Sequence, residues 1–444
     1  MKNKLKGLLV IFTFFSLQVI AQEKKTLSLN EAIDLGIQSS KQLKISQAKI
    51  EEATAALKEA VEKKLPDVKV SGSYLRLSSA NIDLKTKGNN NGGTTSEPPK
   101  VSQAMYGIMA VSLPIYSGGR IRYGIESSRF LEKAAMLDAE DDKDEVIQNT
   151  IEAFANLFKA KTAVRLVKEN LAESQQRTKD FANLEKNGLL ARNDLLKAEL
   201  QSSSTELSLL DAENNLQLAN VNMNLMLGLP TTTELVLDTS GIEKKNDSRV
   251  LDDYLQVALS NRKDMTAVDL RKKAAESGIK SAKSELYPGL SLTGGYIAAD
   301  VPNVFSVTNA VNIGVGVSYN LGSLWKNKSK VQQAEARVKQ LNLTESMMDD
   351  NIRLQVNKSY LSVMSYRKKI EVYAKALEQA QENYRIVKNK FDNNLATTTD
   401  LLDADVALLQ TKLSYTLAKA DTFVAYNKLL QTTGTLSKEL NKSK

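Results

Sequence analysis

The strongest constraint on the fold is an internal duplication. Residues 187–227 return as residues 393–433, and the same offset of 206 relates Asp194 to Asp400. A repeat with so long a period means that one structural unit occurs twice. The 444 residues therefore predict one fold built from two similar halves, rather than a string of unrelated domains.

Each half contains a long stretch without Gly or Pro, from Ile125 to Asn187 and from Ser323 to Asp392. At 1.5 Å per residue, each stretch predicts a helix of roughly 90 to 100 Å, far longer than the helices of an ordinary globular domain. Apolar residues in these helices and their successors recur at intervals of three and four, as in coiled coils. In the last helix one such seam runs through Leu401 and a second through Val406. That helix is predicted to contact neighbours on two sides.

Upstream of each long helix the hydrophobic period changes to two. Val311, Ile313 and Val315 alternate with small or polar residues, which predicts a strand with one apolar face. Similar patterns predict two hairpins, over 67–116 and 289–321, with tyrosines in or beside them as in the aromatic girdles of membrane barrels. Each strand has about ten residues, enough to cross a bilayer when tilted. The half-buried sheet of a soluble domain stays open as the alternative.

Four strands in one chain cannot close a barrel. Exposed sheet edges are not tolerated in lipid, and the smallest membrane barrels have about eight strands. If these strands span a membrane, several chains must contribute to one barrel. The pattern therefore predicts an oligomer.

Composition narrows the functional classes. The chain has no Cys and no His, which removes disulfides, the usual zinc sites and the familiar Cys- or His-dependent catalytic relays. The formal charge of +8 is spread thinly along helical faces and offers no basic block for nucleic acid. Adjacent carboxylates such as Asp349 and Asp350 point in different directions on a helix, which disfavours a hydrolase. We expect neither enzymatic activity, nor a cofactor, nor a bound metal.

The first 21 residues predict a secretory signal peptide. They contain a basic start, an apolar run from Leu8 to Phe15, and Ala21 before Gln22. The apolar run is well short of the roughly 20 residues that a spanning helix needs. We therefore expect residues 1–21 to be removed and the mature chain to leave the cytoplasm.

The remaining chain is predicted to consist of two repeats with a linker and a tail. Leading helices are expected over 30–65 and 250–286, the first with a capping box at Ser28 and Glu31. The expected boundaries are a first repeat over 22–230, a linker over 231–247, a second repeat over 248–434, a polar disordered tail over 435–444, and an exposed low-complexity loop over 79–100.

The order of these elements resembles the TolC-like outer-membrane efflux protein family, the outer membrane factors. The resemblance covers nearly all of the mature chain. It is carried by motifs in both halves, namely Asn187-Gly188-Leu189 to Asp194-Leu195, Asn394 to Asp400-Leu401-Leu402-Asp403-Ala404, Leu65-Pro66-Asp67, Tyr287-Pro288-Gly289, and Leu113-Pro114-Ile115-Tyr116-Ser117-Gly118-Gly119-Arg120.

The resemblance implies a mainly α fold with membrane β-strands. A long α-helical barrel, or coiled-coil tunnel, would be continuous with the 12-stranded β-barrel of a homotrimer. It also implies a place in the cell outer membrane, with the tunnel extending into the periplasm. The implied partners are outer-membrane lipid, a periplasmic adaptor (membrane fusion) protein and an inner-membrane pump, in a tripartite efflux or type I secretion system.

The resemblance leaves two questions open. The exported substrate could be a drug, a metal ion or a polypeptide. A secreted trimeric coiled-coil scaffold protein without channel activity is the alternative function.

The two helix turns match the periplasmic tip of the family. By position, the resemblance gives Asp194, Asp400 and Asp403 as a pore gate, since three-fold symmetry would turn each into a ring of charges. Capping is the alternative, because Asp at a helix start satisfies free backbone N–H groups. Ala396 stands where family members can carry an Arg that locks the closed tip. Arg192 is predicted to replace that Arg by pairing with Asp400 or Asp403.

The same turns are the expected adaptor-docking sites. The residues concerned are Gly188 and Leu189 in the first turn and Asn394 and Leu395 in the second.

Overall fold

The computed structural model describes residues 24–81, 100–238, 249–302 and 304–441. The predicted signal peptide, residues 82–99 of the predicted loop and residues 239–247 of the predicted linker lie outside the described residues. In chain order the described elements are β1 (Lys24–Leu27), α1 (Leu29–Ser39), α2 (Lys41–Glu62), β2 (Asp67–Asn81), β3 (Lys100–Tyr116), α3 (Arg120–Lys186), α4 (Arg192–Leu227), β4 (Glu234–Leu237), α5 (Leu251–Asn261), α6 (Lys263–Ser284), β5 (Gly289–Val301), β6 (Phe305–Ser318), α7 (Ser323–Asp392), α8 (Thr398–Thr432) and α9 (Leu436–Asn441).

The chain divides into two compact units. One unit comprises residues 48–138 and 264–347, and it contains the larger sheet. The other comprises the described residues up to 47, residues 139–263 and the described residues from 348 onward, and it contains the helix turns and the smaller sheet.

The larger sheet has four antiparallel strands in the order β2-β3-β5-β6. The registers of its two hairpins follow the duplication, with Asp67 opposite Ser112 and Gly289 opposite Ser318. Strands β2 and β6 form the two edges, and neither edge has a partner in the described chain. The apolar residues of β6 predicted to share one face, Val311 among them, are exposed. The predicted hairpins are therefore confirmed, and they form one sheet that is open on both sides.

The long helices match the predicted Gly- and Pro-free stretches. Helix α3 begins at Arg120, five residues before the predicted start, and α7 has the predicted bounds. At 1.5 Å per residue, each is about 100 Å long. Of the helices in the described ranges, none combines the length and the apolar character that crossing a membrane requires.

The unit with the helix turns has an apolar core that draws on both halves of the sequence. Its fully buried members include Leu27, Ile151, Phe154, Met223, Leu227 and Leu436. Full burial of one such side chain contributes about 1.5 to 3 kcal/mol. Contacts between residues so distant in sequence hold the ends of the chain to the long helices.

Both leading helices are interrupted, so the prediction of one continuous helix in each half is wrong. Helix α1 ends at Ser39, and α2 begins after Ser40, whose hydroxyl accepts the backbone N–H of Leu43 at 3.2 Å. In the second half α5 and α6 are separated by Arg262, whose backbone is extended. A side-chain cap and an extended residue each end the ladder of helical hydrogen bonds. Of the predicted capping box, the Ser28 half is confirmed, because its hydroxyl accepts the N–H of Glu31 at 3.2 Å, while the Glu31 carboxylate pairs with Lys25.

The predicted linker and tail also contain regular structure. Strand β4 lies within the predicted linker and pairs in parallel with β1. Helix α9 lies within the tail that was predicted to be disordered, and its first residue, Leu436, is completely buried. Both segments are ordered because they bury apolar side chains, Leu235 and Leu436, in the core described above.

Candidate functional site: the two helix turns

The turns that join α3 to α4 and α7 to α8 have the same backbone geometry. In the first, Gly188 has φ +73°, and the N–H of Leu189 donates to the carbonyl of Leu184 at 2.9 Å. In the second, Asn394 has φ +58°, and the N–H of Leu395 donates to the carbonyl of Lys390 at 2.7 Å. This is the Schellman ending of a helix, and Gly and Asn are the residues that tolerate its left-handed position.

Each turn presents one apolar side chain. Leu189 is 73% exposed and Leu395 is 75% exposed. The two leucines occupy equivalent positions in the repeat. Leucines at equivalent positions of the two turns thus leave apolar area uncovered in the described chain.

The aspartates after the turns have different partners. Asp400 belongs to a capping box, because its carboxylate accepts the N–H of Thr397 at 2.9 Å and the Thr397 hydroxyl at 2.7 Å. These hydrogen bonds hold the pKa of Asp400 below its usual value. Asp194 instead pairs with Lys197, whose ammonium lies 3.2 Å from the Asp194 carboxylate and 3.2 Å from the hydroxyl of Thr399. Lys197 thus connects the first turns of α4 and α8.

The other two predicted gate residues, Arg192 and Asp403, are exposed. Within the described part of the chain, no carboxylate lies within ion-pair distance of Arg192. Its pairing with Asp400 or Asp403 stays a prediction about contacts between chains.

An apolar cluster lies between the helices next to both turns. The rings of Phe181 and Phe391 stack with centroids 5.3 Å apart. Leu195, Ala198 and Leu401 are buried beside them. Residues from all four helices therefore share one apolar cluster next to the turns.

A buried ion pair that the sequence did not predict lies close to this cluster. The Arg177 guanidinium lies 2.9 Å from the Asp405 carboxylate, with side-chain exposures of 10% and 4%. Asn170 donates to the same carboxylate at 3.2 Å. The phenol of Tyr384 lies nearby, and burial raises its pKa. The available signal was the position of Asp405, four residues after buried Leu401 on a helix face, where an apolar residue is expected.

Among the residues that the structure describes, no group of three or more carboxylates is arranged to hold a metal ion. The polar groups at the turns instead cap helices, form ion pairs or face solvent.

An open sheet with an exposed apolar face, combined with two long helical hairpins, defines one protomer of an outer-membrane channel. A family model described as outer membrane efflux protein matches residues 32–229 and 254–435. The chain therefore belongs to the outer membrane efflux protein family. This family consists of channel proteins, and membership places the chain in the outer membrane as an efflux channel.

Individual relatives agree with this assignment. The chain is similar to the outer membrane efflux protein BepC of Brucella suis, with 19% identity over 328 residues, 73% of this chain and 70% of BepC. Its fold is similar to that of the outer-membrane channel OprN, with a TM-score of 0.76, 17% identity and coverage of 92% and 90% of the two chains. It is also similar to VceC from Vibrio cholerae, with a TM-score of 0.74, 19% identity and coverage of 91% and 96%.

Proposed function

We propose that three copies of this chain form the outer-membrane conduit of a tripartite efflux or type I secretion system. A periplasmic adaptor and an inner-membrane pump would deliver the substrate to the two helix turns. The observation that carries this proposal is the larger sheet, which leaves both edges unpaired in the described chain and one apolar face exposed.

The strand directions favour closure by identical copies. The four strands alternate in direction, so β6 of one copy runs antiparallel to β2 of the next. Three copies then give a closed barrel of twelve strands in which no edge meets lipid. An odd number of strands per chain would instead place two parallel strands at each junction between copies.

The helices also carry apolar surface for contacts between copies. Exposed leucines follow one stripe of α4, and exposed apolar residues recur at heptad spacing on α7. The residues concerned are Leu200, Leu207, Leu218 and Leu225 on α4, and Met347, Leu354 and Leu361 on α7. Heptad stripes of this kind pack against a neighbouring helix.

The turns are the proposed docking and gating region. Leu189 and Leu395 are the proposed apolar contacts for the adaptor, and Gly188 and Asn394 fix the backbone that presents them. Asp194, Asp400 and Asp403 are the proposed acidic rings of the gate, with Arg192 as a lock between chains. The exposure of the two leucines and of Asp403 supports these roles.

Conductance in planar lipid bilayers tests the conduit. We expect the purified protein to form cation-selective channels, and Asp403→Asn to reduce the preference for cations. Arg192→Ala is expected to raise the open fraction. A protein that is purified as a soluble monomer or dimer and gives no conductance would support a scaffold and reject the conduit.

Cross-linking to the adaptor tests docking separately. Leu189→Asp and Leu395→Asp are expected to abolish cross-links to the adaptor while the trimer still assembles in the membrane. The matched control is Lys375→Asp, which alters an exposed position on α7 away from the turns. Normal cross-linking by both leucine variants would reject docking at the turns.

A further inference from the structure

The helix-proximal end of the larger sheet carries cations without counter-ions. Arg120 and Arg122 follow β3, and Lys326 and Lys328 follow β6. All four are exposed, and no carboxylate in the described chain lies within ion-pair distance of them. Nearby Lys330 differs, because it pairs with Glu285 at 2.6 Å.

The duplication preserves this arrangement. The offset of 206 relates Arg120 to Lys326 and Arg122 to Lys328. Each pair therefore lies at the start of a long helix, within ten residues of the end of a strand. The two halves share the charge at these positions, although they differ in which cationic residue provides it.

Apolar and aromatic side chains accompany the cations. Trp325, the only Trp of the chain, is exposed beside Lys326. Tyr116, Tyr287 and Leu324 are exposed at the same end of the sheet. Aromatic rings and long cationic side chains together are typical of the boundary between lipid tails and headgroups.

A cavity opens at this end of the sheet. Its volume is about 510 Å³, and its lining includes Arg120, Tyr287, Tyr319 and the paired Glu285 and Lys330, whose charges offset each other. The guanidinium of Arg120 is a donor suited to phosphate oxygens. Tyr319 continues the apolar face of β6 to this cavity, so the headgroup of a lipid whose tails cover the strand comes close to Arg120.

We propose that Arg120, Arg122, Lys326, Lys328 and Trp325 form a belt that binds the anionic headgroups of phospholipids in the membrane around the channel. The inference rests on the proposed function, because it requires the four strands to enter a membrane barrel. It goes further by giving that barrel a preference for one class of lipid.

The single Trp allows a direct test on the full-length protein. The protein is reconstituted in vesicles of phosphatidylcholine and phosphatidylglycerol, with bromine on the acyl chains of one lipid at a time as the quencher of Trp325. Each cation near the lipid surface favours an anionic lipid by about fivefold at low salt. We expect phosphatidylglycerol to bind beside Trp325 about 25-fold more strongly than phosphatidylcholine when both lysines contribute. The ratio of phosphatidylglycerol binding to phosphatidylcholine binding should approach one in about 1 M salt, where charges are screened within roughly 3 Å.

Charge variants test whether the cations of the belt cause the preference for anionic lipid. Lys326→Gln with Lys328→Gln is expected to lower the ratio severalfold, and adding Arg120→Gln and Arg122→Gln is expected to bring it close to one. Lys326→Arg with Lys328→Arg should keep the original ratio, which also covers the case in which the glutamine variant folds poorly. The matched control is Lys161→Gln with Lys375→Gln, two exposed lysines in the other unit.

Three outcomes would overturn the belt. Equal quenching by the two brominated lipids at low salt rejects the preference for anionic lipid. Loss of the preference with a few millimolar inorganic phosphate, at constant ionic strength, identifies a site for free anions instead. Absence of quenching by either lipid in vesicles that conduct ions removes Trp325 from the membrane boundary. Vesicles that never conduct contradict the proposed function, which distinguishes that failure from a failure of the belt.

Discussion

The Asp405 carboxylate is predicted to be the most sensitive charged group near the helix turns. Asp405→Asn keeps the size of the side chain but leaves the Arg177 guanidinium buried without a counter-charge. The two groups are 2.9 Å apart, and both are at least nine-tenths buried. Removing one partner of a buried ion pair costs about 3 to 5 kcal/mol. The buried Nη1 of the same guanidinium already lacks a hydrogen-bond partner in the described chain. Few neighbouring groups can therefore replace the contact that the substitution removes.

The same helix offers a matched control. Asp421 pairs with Lys159 at the same distance of 2.9 Å, but the side-chain exposures are 31% and 26%. Solvent screens such a pair, and its loss costs about 0 to 1 kcal/mol. Asp421→Asn therefore removes an equally short ion pair from a wetter site on α8.

Hydrogen exchange measured by mass spectrometry gives the readout. We expect Asp405→Asn to speed exchange of α8 around residue 405 by roughly a hundredfold to several thousandfold, because local opening costs less by the stated free energy. Asp421→Asn should change exchange by about fivefold at most. Equal effects of the two substitutions would refute the reasoning from burial. Arg177→Met combined with Asp405→Leu is expected to recover most of the protection, since an apolar pair removes both buried charges.

Three further predictions concern backbone geometry, pH and the end of the chain. Asn394→Gly should leave the stability of the second turn unchanged. Asn394→Val should lower the free energy of unfolding by about 1 to 2 kcal/mol, because a β-branched residue disfavours the left-handed backbone. Thermal unfolding of the two variants measures the difference. Asp400 has a pKa below its usual value in the folded state, so its contribution to stability is present above the unfolded pKa and is lost as pH falls through the folded pKa. The protection of amide hydrogens at the turn, relative to their intrinsic exchange rates at each pH, should therefore fall on acidification, and it should fall less in Asp400→Asn. Leu436→Ala should cost about 2 to 5 kcal/mol because it removes a fully buried side chain, and denaturant unfolding that shows no loss would contradict the packing of α9.

The main elements were predictable because their signals are long. So long a stretch without Gly or Pro leaves the backbone few alternatives to a helix, and period-two patterns marked all four strands of the larger sheet. The duplication placed both turns correctly. Short elements escaped prediction, since β1 and β4 have four residues each and pair across more than 200 positions.

The residues of the turns were predictable, but their individual partners were not. The motif located Asp194 and Asp400 equally well, and only the structure separates a residue paired with Lys197 from a member of a capping box. The ion pair of Arg177 and Asp405 joins residues 228 positions apart. Pairing at that distance depends on how the helices pack, which the local pattern does not contain.

The central claim is that the two free edges of the sheet meet between copies. Cysteine pairs placed along β2 and β6 test it directly, because the natural chain has no Cys and the two strands are opposite edges of the sheet. Along two antiparallel strands, the numbers of directly opposite residues always add up to the same total. We therefore expect disulfide-linked trimers only from cysteine pairs that share this total. Cross-linking that stops at dimers, or that fails at every combination of positions in membranes, would contradict the closed three-chain barrel.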